Sequence, residues 1–180
     1  MKSFLKFFVE DTQEFSSAGT SINSTKLPTG YSTVAKKFGW KKGSTHIDIG
    51  GGKFDNAVEF LGKLGVNAHV FDPYNRPEEH NTRVMKEMGR GADSASLFNV
   101  LNVIKEPEYR QEALQTAFRT LKPGGKIFIS IYEGDRTGQG KQTKKDSWQN
   151  NMTTQAHLPE IKKVFPNARI EHGIIHGTKE

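Results

Sequence analysis

The 180-residue sequence contains no cysteine. That absence excludes a disulfide framework, a thiolate-ligated zinc or iron–sulfur site, and thiol catalysis. No apolar run approaches the roughly 20 residues that a membrane-spanning helix requires, so no membrane partner is expected. There is no arginine-rich block, internal repeat or low-complexity tract. The opening stretch does not read as a secretory signal: Lys6 splits its apolar run, Glu10 and Asp11 follow at once, and no small-residue cleavage site appears. The expectation is a cytoplasmic protein that needs no structural metal, because a chain of this length can bury about 70% of its unfolded surface.

What the chain does have is a modest basic surplus. Lys and Arg number 26 against 20 Asp and Glu, for a net charge of +6. The cations cluster at Lys36, Lys37, Lys41 and Lys42, and again at Arg136, Lys141, Lys144 and Lys145. Such clusters can attract nucleic acid, and they are equally compatible with a mixed solvated surface.

Residues 1–30 read as an N-terminal lead-in, partly mobile, and residues 31–180 as one domain. Within that domain, Val34, Ala35 and Phe38 stand at helical spacing. His46 to Ile49 reads as a strand running into Gly50-Gly51-Gly52. Ala57, Val58, Phe60, Leu61 and Leu64 form a helical stripe stopped by Gly65, and Val66 to Phe71 reads as a second strand. A helix is expected within 77–89, and a buried strand with its following turn over Ala95 to Ile104. Pro107 suits the first position of a helix bearing Leu114, Ala117, Phe118 and Leu121, which Lys122-Pro-Gly-Gly125 ends. Lys126 to Tyr132 is a third clear strand, 133–150 a polar basic loop, Leu158 to Phe165 a last helix, and Ala168 to Ile175 a final strand. Strands alternating with helices predict an α/β fold with a mostly parallel sheet covered on both faces.

The sharpest feature is His46-Ile-Asp-Ile-Gly-Gly-Gly-Lys-Phe-Asp55, with Asp72 closing the next strand. In an open parallel sheet, ligands bind beyond the carboxyl ends of the strands. A glycine bend there lets the backbone approach a ligand closely. An acid about 20 residues on can accept hydrogen bonds from ribose hydroxyls. A dinucleotide fingerprint would need a third glycine at position 55, which is Asp55, where a carboxylate would repel a pyrophosphate. S-adenosylmethionine (SAM) has no phosphate and carries a sulfonium charge, so it tolerates that acid.

These residues resemble the class I SAM-dependent methyltransferases. Asp48-Ile-Gly-Gly-Gly is similar to their first motif and Phe71-Asp72 to their second. Phe98 to Pro107 resembles their fourth-strand segment, and Leu121-Lys-Pro-Gly-Gly-Lys-Ile-Phe-Ile-Ser130 their fifth strand with the helix end before it. The order is right and the matches span 46–131. Val100 to Ile104, with Lys141 to Gln149 after the fifth strand, is most similar to small methyltransferase-like proteins of bacteria and phages, some of them associated with DNA phosphorothioation systems. The resemblance implies a Rossmann-like open sheet with SAM as cofactor. Asp48 and Gly50, Gly51 and Gly52 would line its methionine and ribose portion, Asp72 would bind the ribose hydroxyls with Pro73 beside it, and Asn99 and Val100 would face the methionine moiety or the methyl.

The pattern departs from the family in two places. Phe54 stands where the glycine turn usually ends in a small residue. Only 20 residues separate Asp72 from Asp93, too few for a helix, a strand and another helix, so one strand–helix unit should be missing. The acid that normally contacts the adenine amino group is then either Asp93 or absent.

The reading is a SAM-dependent methyltransferase with an unidentified acceptor, whether small molecule, nucleic acid or protein. Asn102, Tyr132, Glu133 and Asp146 are candidates for acceptor contact or proton removal. Nucleic acid could be reached through the basic loop 136–145. The alternatives are a non-catalytic SAM-binding sensor or accessory protein, a nucleic-acid-associated module and, disfavoured by Asp55, a nicotinamide oxidoreductase. No metal is implied, since His172 and His176 lack a third ligand. Gly138-Gln-Gly-Lys141 lacks the spacing of a phosphate-binding loop.

Overall fold

The computed structural model describes residues 13–20 and 26–180. The rest of the expected lead-in, 1–12 and 21–25, lies outside the described residues. Helix α1 (Thr29–Lys37) spans the boundary drawn at residue 30. Then come β1 (Thr45–Ile49), α2 (Asn56–Lys63), β2 (Asn67–Phe71), α3 (Glu78–Glu87), β3 (Ala92–Phe98), α4 (Pro107–Thr120) and β4 (Leu121–Ser130). They are followed by β5 (Lys141–Lys144), β6 (Ser147–Gln149), α5 (Thr154–Lys162), β7 (Arg169–Glu171) and β8 (Ile174–Thr178).

Six strands form the main sheet in the order β2-β1-β3-β4-β8-β7. The first four are parallel, and β8 and β7 complete the sheet antiparallel. β2 is one edge of the sheet, and α3 with a short 3-10 turn (Met88–Arg90) links it to β3 on the far side of β1. The architecture is therefore the expected Rossmann-like α/β sheet, reduced by one strand–helix unit.

Period-two alternation divides the strands between two layers. Ile47, Ile49, Ala95, Leu97, Ile127 and Ile129 face α3, α4 and α5, packing with Val84, Leu114, Ala117 and Ile161. On the other face Tyr31 and Val34 of α1, with Ala57 and Leu61 of α2, meet Phe98 and Phe128. On that second face β1 and β3 also carry four buried polar residues, His46, Asp48, Ser94 and Ser96.

Three expectations change. The basic loop 133–150 is not irregular throughout, because it folds into the antiparallel β5–β6 hairpin. The final strand is a hairpin too: His172 (φ 53°) and Gly173 (φ 75°) make a tight turn between β7 and β8. Positive φ at both central residues suits the right-handed twist of the flanking strands. Strand β4 begins at Leu121, so Lys122-Pro-Gly-Gly125 does not separate helix from strand. It carries a register shift opposite Ala92 and Ser94 within the β3–β4 ladder. No helix among the described residues is long and apolar enough to cross a membrane.

Candidate functional site

The three glycines leave β1 at the carboxyl edge of the sheet, where each meets a different neighbour. Gly50 (φ 72°) donates its N–H to the Phe71 carbonyl at 2.7 Å, drawing the bend against the end of β2. A Cβ at Gly50 would lie 2.8 Å from Cγ2 of Val100, and one at Gly51 would collide with Oδ2 of Asp48. Gly52 (φ 80°) donates its N–H to Oδ2 of Asp72 at 2.8 Å. Positive φ at two positions and missing space at the first two explain why this bend is built from glycine.

The turn after β2 holds the bend in place. Asp72 Oδ1 accepts the N–H groups of Tyr74 and Asn75, each at 2.9 Å, and Oδ2 also accepts from Asn75 Nδ2 at 3.1 Å. With Gly52, that fills the four acceptor positions of a carboxylate. Asn81 of α3 grips the Asp72 backbone from behind, accepting its N–H at 3.0 Å and donating to its carbonyl at 2.9 Å. Arg76 completes the clamp, donating from Nε to the Gly52 carbonyl (2.7 Å) and from Nη2 to the Phe54 carbonyl (2.8 Å) while pairing with Asp55 (2.8 Å). Asp55 occupies the N-cap position of α2.

A cavity of about 370 Å³ opens above this floor, a size typical of small-molecule sites. Asp48, Gly50, Gly51, Gly52, Asp72, Pro73, Asn99 and Val100 all line it. Asn99, in the left-handed region (φ 59°), turns the chain out of β3 into the cavity rim, its N–H donating to the Ser130 carbonyl at 2.9 Å.

Residues 13–20 roof the cavity. Gln13 and Tyr74 both border it. Phe15 stacks on Trp148 of β6 with ring centroids 5.4 Å apart, and Lys105 lies over both rings. Ser17 donates its N–H to the Asp146 carbonyl (2.8 Å) and its hydroxyl to the Val103 carbonyl (3.1 Å). The hairpin that was expected to be an open loop is thus the anchor of this roof.

That folding removes the four catalytic candidates from the cavity wall. Asn102 is buried against the hairpin, donating to Gln149 Oε1 at 3.1 Å. Tyr132 is exposed outside the cavity. Glu133 accepts the Thr154 N–H at 2.7 Å at the start of α5 and pairs with Arg136, contacts that hold its carboxyl below the usual range. Asp146 accepts from the hydroxyl and N–H of Ser16, which lower its carboxyl likewise. Within 136–145, Arg136 and Lys141 are matched by Glu133 and Asp135, while Lys144 and Lys145 are exposed with no acid partner among the described residues. Asp93 lies at the opposite end of β3, bound to the Thr45 N–H and Lys122, so it cannot contact a base in this cavity. His172 stands in the β7–β8 turn and His176 on β8, paired with Glu171.

Sequence reasoning missed the residues behind and around the floor: Tyr31, Ser96, Arg76 and Asn81. Ser96 Oγ donates to Asp48 Oδ1 at 2.7 Å, and the Tyr31 hydroxyl lies 3.4 Å from the same Ser96 Oγ. Burial pushes the Asp48 carboxyl up to about 6 and His46 down to about 3. The signal for Ser96 was present in the matching alternation of His46-x-Asp48 and Ser94-x-Ser96.

A family model described as a methyltransferase domain matches residues 24–170. The chain belongs to that family. Solved structures share the fold of this methyltransferase domain. One is 1,6-didemethyltoxoflavin-N1-methyltransferase of Burkholderia thailandensis with bound 1,6-didemethyltoxoflavin and S-adenosylhomocysteine, at 15% identity over 84% of this chain and 76% of that one, TM-score 0.61. Another is a SAM-dependent methyltransferase of Methanosarcina mazei, at 14% identity over 78% and 94%, TM-score 0.53. A third is phosphoethanolamine N-methyltransferase 2 of Haemonchus contortus in complex with S-adenosyl-L-methionine, at 19% identity over 87% of this chain and 42% of that one, TM-score 0.55. Identities this low establish the fold alone. A search of curated proteins found no match to the chain.

Proposed function

We propose that this methyltransferase domain binds SAM in the cavity above Gly50–Gly52 and transfers its methyl group to an acceptor that reaches the same cavity. The observation that carries the reading is the clamped glycine floor. Side chains are missing where a ligand must lie against the backbone, and an acid, not a phosphate-binding amide cluster, stands at the α2 N-terminus. When bound, SAM supplies a methyl group already activated by a sulfonium. The chain's own contribution is to hold the acceptor nucleophile in line with that carbon and to keep water out.

Each residue then has a part. The glycines admit the nucleoside to the backbone. Asp72 fixes the floor, and the ribose hydroxyls take over the longest of its four contacts, that of the rotatable Asn75 side chain. Pro73 and Tyr74 border the base. Asn99 and Val100 border the acceptor side, and residues 13–20 exclude solvent. This roof favours an acceptor that offers its nucleophile on a slender group, as a small molecule does. Contact with nucleic acid would rest on Lys144 and Lys145 of the hairpin.

Calorimetry with SAM, S-adenosylhomocysteine and NAD tests the cofactor, with the first two expected to bind and NAD not. Methyl-labelled SAM, incubated with separate pools of DNA, RNA, protein and small metabolites, tests transfer. One observation favours a second reading, a SAM-binding sensor or accessory protein: of the three candidate proton acceptors, Glu133 and Asp146 are engaged outside the cavity and Tyr132 is exposed beyond it. Binding without label transfer to any pool would decide for it.

A further inference from the structure

The cavity lies at the carboxyl edge of the sheet, and a separate accumulation of charge lies at the opposite edge. From Lys26 to Ile47 the chain has five lysines and no acid. Four of them, Lys36, Lys37, Lys41 and Lys42, stand between the last turn of α1 and the start of β1, and Lys63 ends α2. Lys36, Lys37, Lys41, Lys42 and Lys63 are all exposed.

Local structure brings these lysines together. Helix α1 starts beside the cavity, which Tyr31 lines, and its nine residues carry Lys36 and Lys37 about 13 Å away from it. Gly39 (φ 80°) then turns the chain out of the helix, donating its N–H to the Val34 carbonyl at 2.8 Å. Lys41 to Ser44 make a tight turn. The Lys41 carbonyl accepts the Ser44 N–H at 3.1 Å and the Ser44 hydroxyl at 2.5 Å, with Gly43 at φ 80°. That turn is tied to the chain just past α2, because the Gly43 N–H donates to the Gly65 carbonyl at 2.7 Å. The stem of Lys42 lies across Gly65, where a Cβ would come 2.7 Å from its Cγ.

Little of this charge is neutralised from within. Asp93 pairs with Lys122 and also faces Lys41. Glu59 stands one turn before Lys63 on α2 and forms no ion pair with it. Among the described residues no acid pairs with Lys36, Lys37, Lys42 or Lys63. The carboxyl ends of α1 and α2 favour the lysines they carry, but Lys41 and Lys42 belong to no helix. Lysines crowded by a fixed turn repel one another, and an anion spread over them relieves that repulsion.

We propose that this lysine edge binds the phosphate backbone of a nucleic-acid duplex, without regard to sequence and away from the methyl-transfer cavity. Duplex DNA presents about one negative charge per 1.7 Å of its axis, a density that several lysines on one surface can meet. Lysine is a point charge suited to phosphate. Unpaired bases would need rings to stack on, and the exposed aromatic side chains among the described residues, Tyr74 and Tyr132, lie elsewhere. Leu64 is the large apolar side chain exposed here, a slender anchor for a bilayer. The surface is separate from Lys144 and Lys145, which belong to the hairpin that anchors the roof.

The test is fluorescence anisotropy with a labelled random-sequence DNA duplex at about 50 and 200 mM salt. Wild-type protein should bind at the lower salt and weaken about a hundredfold at the higher, as the release of about four counterions requires. Lys41→Gln combined with Lys42→Gln should weaken binding by about tenfold and flatten the salt dependence by about two counterions. Lys36→Gln combined with Lys63→Gln should do the same while leaving the turn intact. Neither pair should change SAM affinity by calorimetry, and Lys144→Gln with Lys145→Gln should leave duplex binding as it is. Absence of duplex binding at the lower salt would overturn the proposal. So would a loss confined to the hairpin pair, or a preference for phosphatidylserine vesicles over the duplex. SAM binding is measured apart from the duplex, so these failures leave the assignment of the cavity untouched.

Discussion

The Gly52 amide donates to Asp72 Oδ2 at 2.8 Å, joining the bend after β1 to the turn after β2. The two segments are 20 positions apart in sequence, and their junction sets the distance between the glycine floor and the place where a ribose would lie. Asp72 is thus a structural tie as well as the expected ligand-binding acid.

Asp72→Ala should therefore damage both properties. It leaves the N–H groups of Gly52, Tyr74 and Asn75 without their acceptor. Each buried orphan costs about 1–3 kcal/mol, and the partly exposed turn amides regain some of that from water. Urea denaturation should show a loss of about 2–4 kcal/mol. Calorimetry should show SAM affinity reduced by about tenfold to a hundredfold or more. Weakened binding with unchanged stability would mean that the tie is not what holds the bend.

Gly51→Ala separates space from backbone conformation. Gly51 has no positive φ, so alanine is allowed by its dihedral angles, but its Cβ would collide with Asp48 Oδ2. Overpacking of this kind costs about 1–3 kcal/mol. The displaced floor should weaken SAM binding by more than about tenfold, since a buried polar contact is lost with it. A variant that binds as tightly as the wild type would show that nothing lies against this backbone.

Glu133 and Asp146 should behave as supports, each for a different part. Glu133→Ala removes an acceptor from the α5 N-terminus, where Thr153 still caps Ala156. The cost is about 1 kcal/mol in thermal or urea unfolding, with methyl transfer unchanged. Asp146→Ala releases Ser16 from the hairpin while Ser17 keeps its bond to the residue-146 backbone carbonyl. It should speed SAM dissociation by stopped-flow while leaving the unfolding midpoint nearly unchanged. A large fall in turnover for Glu133→Ala with normal SAM affinity would restore it as a proton acceptor.

The buried pair His46 and Asp48 gives stability a particular pH dependence. His46 titrates at about 3 in the fold against 6.5 for the free group, so the unfolded chain binds more protons between those values. Its contribution is complete above pH 6.5 and is lost as pH falls toward 3. Asp48 is raised from 3.8 to about 6, so its contribution is complete below 3.8 and is lost as pH rises through 6. Between about pH 4 and 6 the two oppose each other. Scanning calorimetry of Asp48→Asn should therefore show a steeper fall in Tm on acidification from pH 6.5 to 4 than the wild type shows. A parallel course for the two proteins would mean that Asp48 does not titrate in that window.

Local signals carried much of this structure. The stripe from Ala57 to Leu61, Pro107 opening a helix, and the bend after Ile49 depend on neighbours within a turn or two, so period and turn chemistry revealed them. The β5–β6 hairpin was hidden because Lys141 to Lys144 are polar and wholly exposed, with none of the alternation that marks a half-buried strand. The β7–β8 turn at His172-Gly173 did carry a legible cue, a residue pair able to take positive φ between two apolar runs.

By itself, the sequence determined the order of strands and helices from α1 to β4, the missing unit between Asp72 and Asp93, and the glycine bend with an acid at the next strand's end. These follow from hydrophobic period, chain length and the conformational range of glycine. The tertiary structure alone decided which acids face the cavity. Glu133 and Asp146 sit close in sequence to the strand ends but are drawn off by α5 and by residues 13–20, whereas Asp48 is aimed from beneath by Ser96, which is 48 positions away. A side chain's neighbours across a sheet are set by strand register, which sequence spacing does not encode.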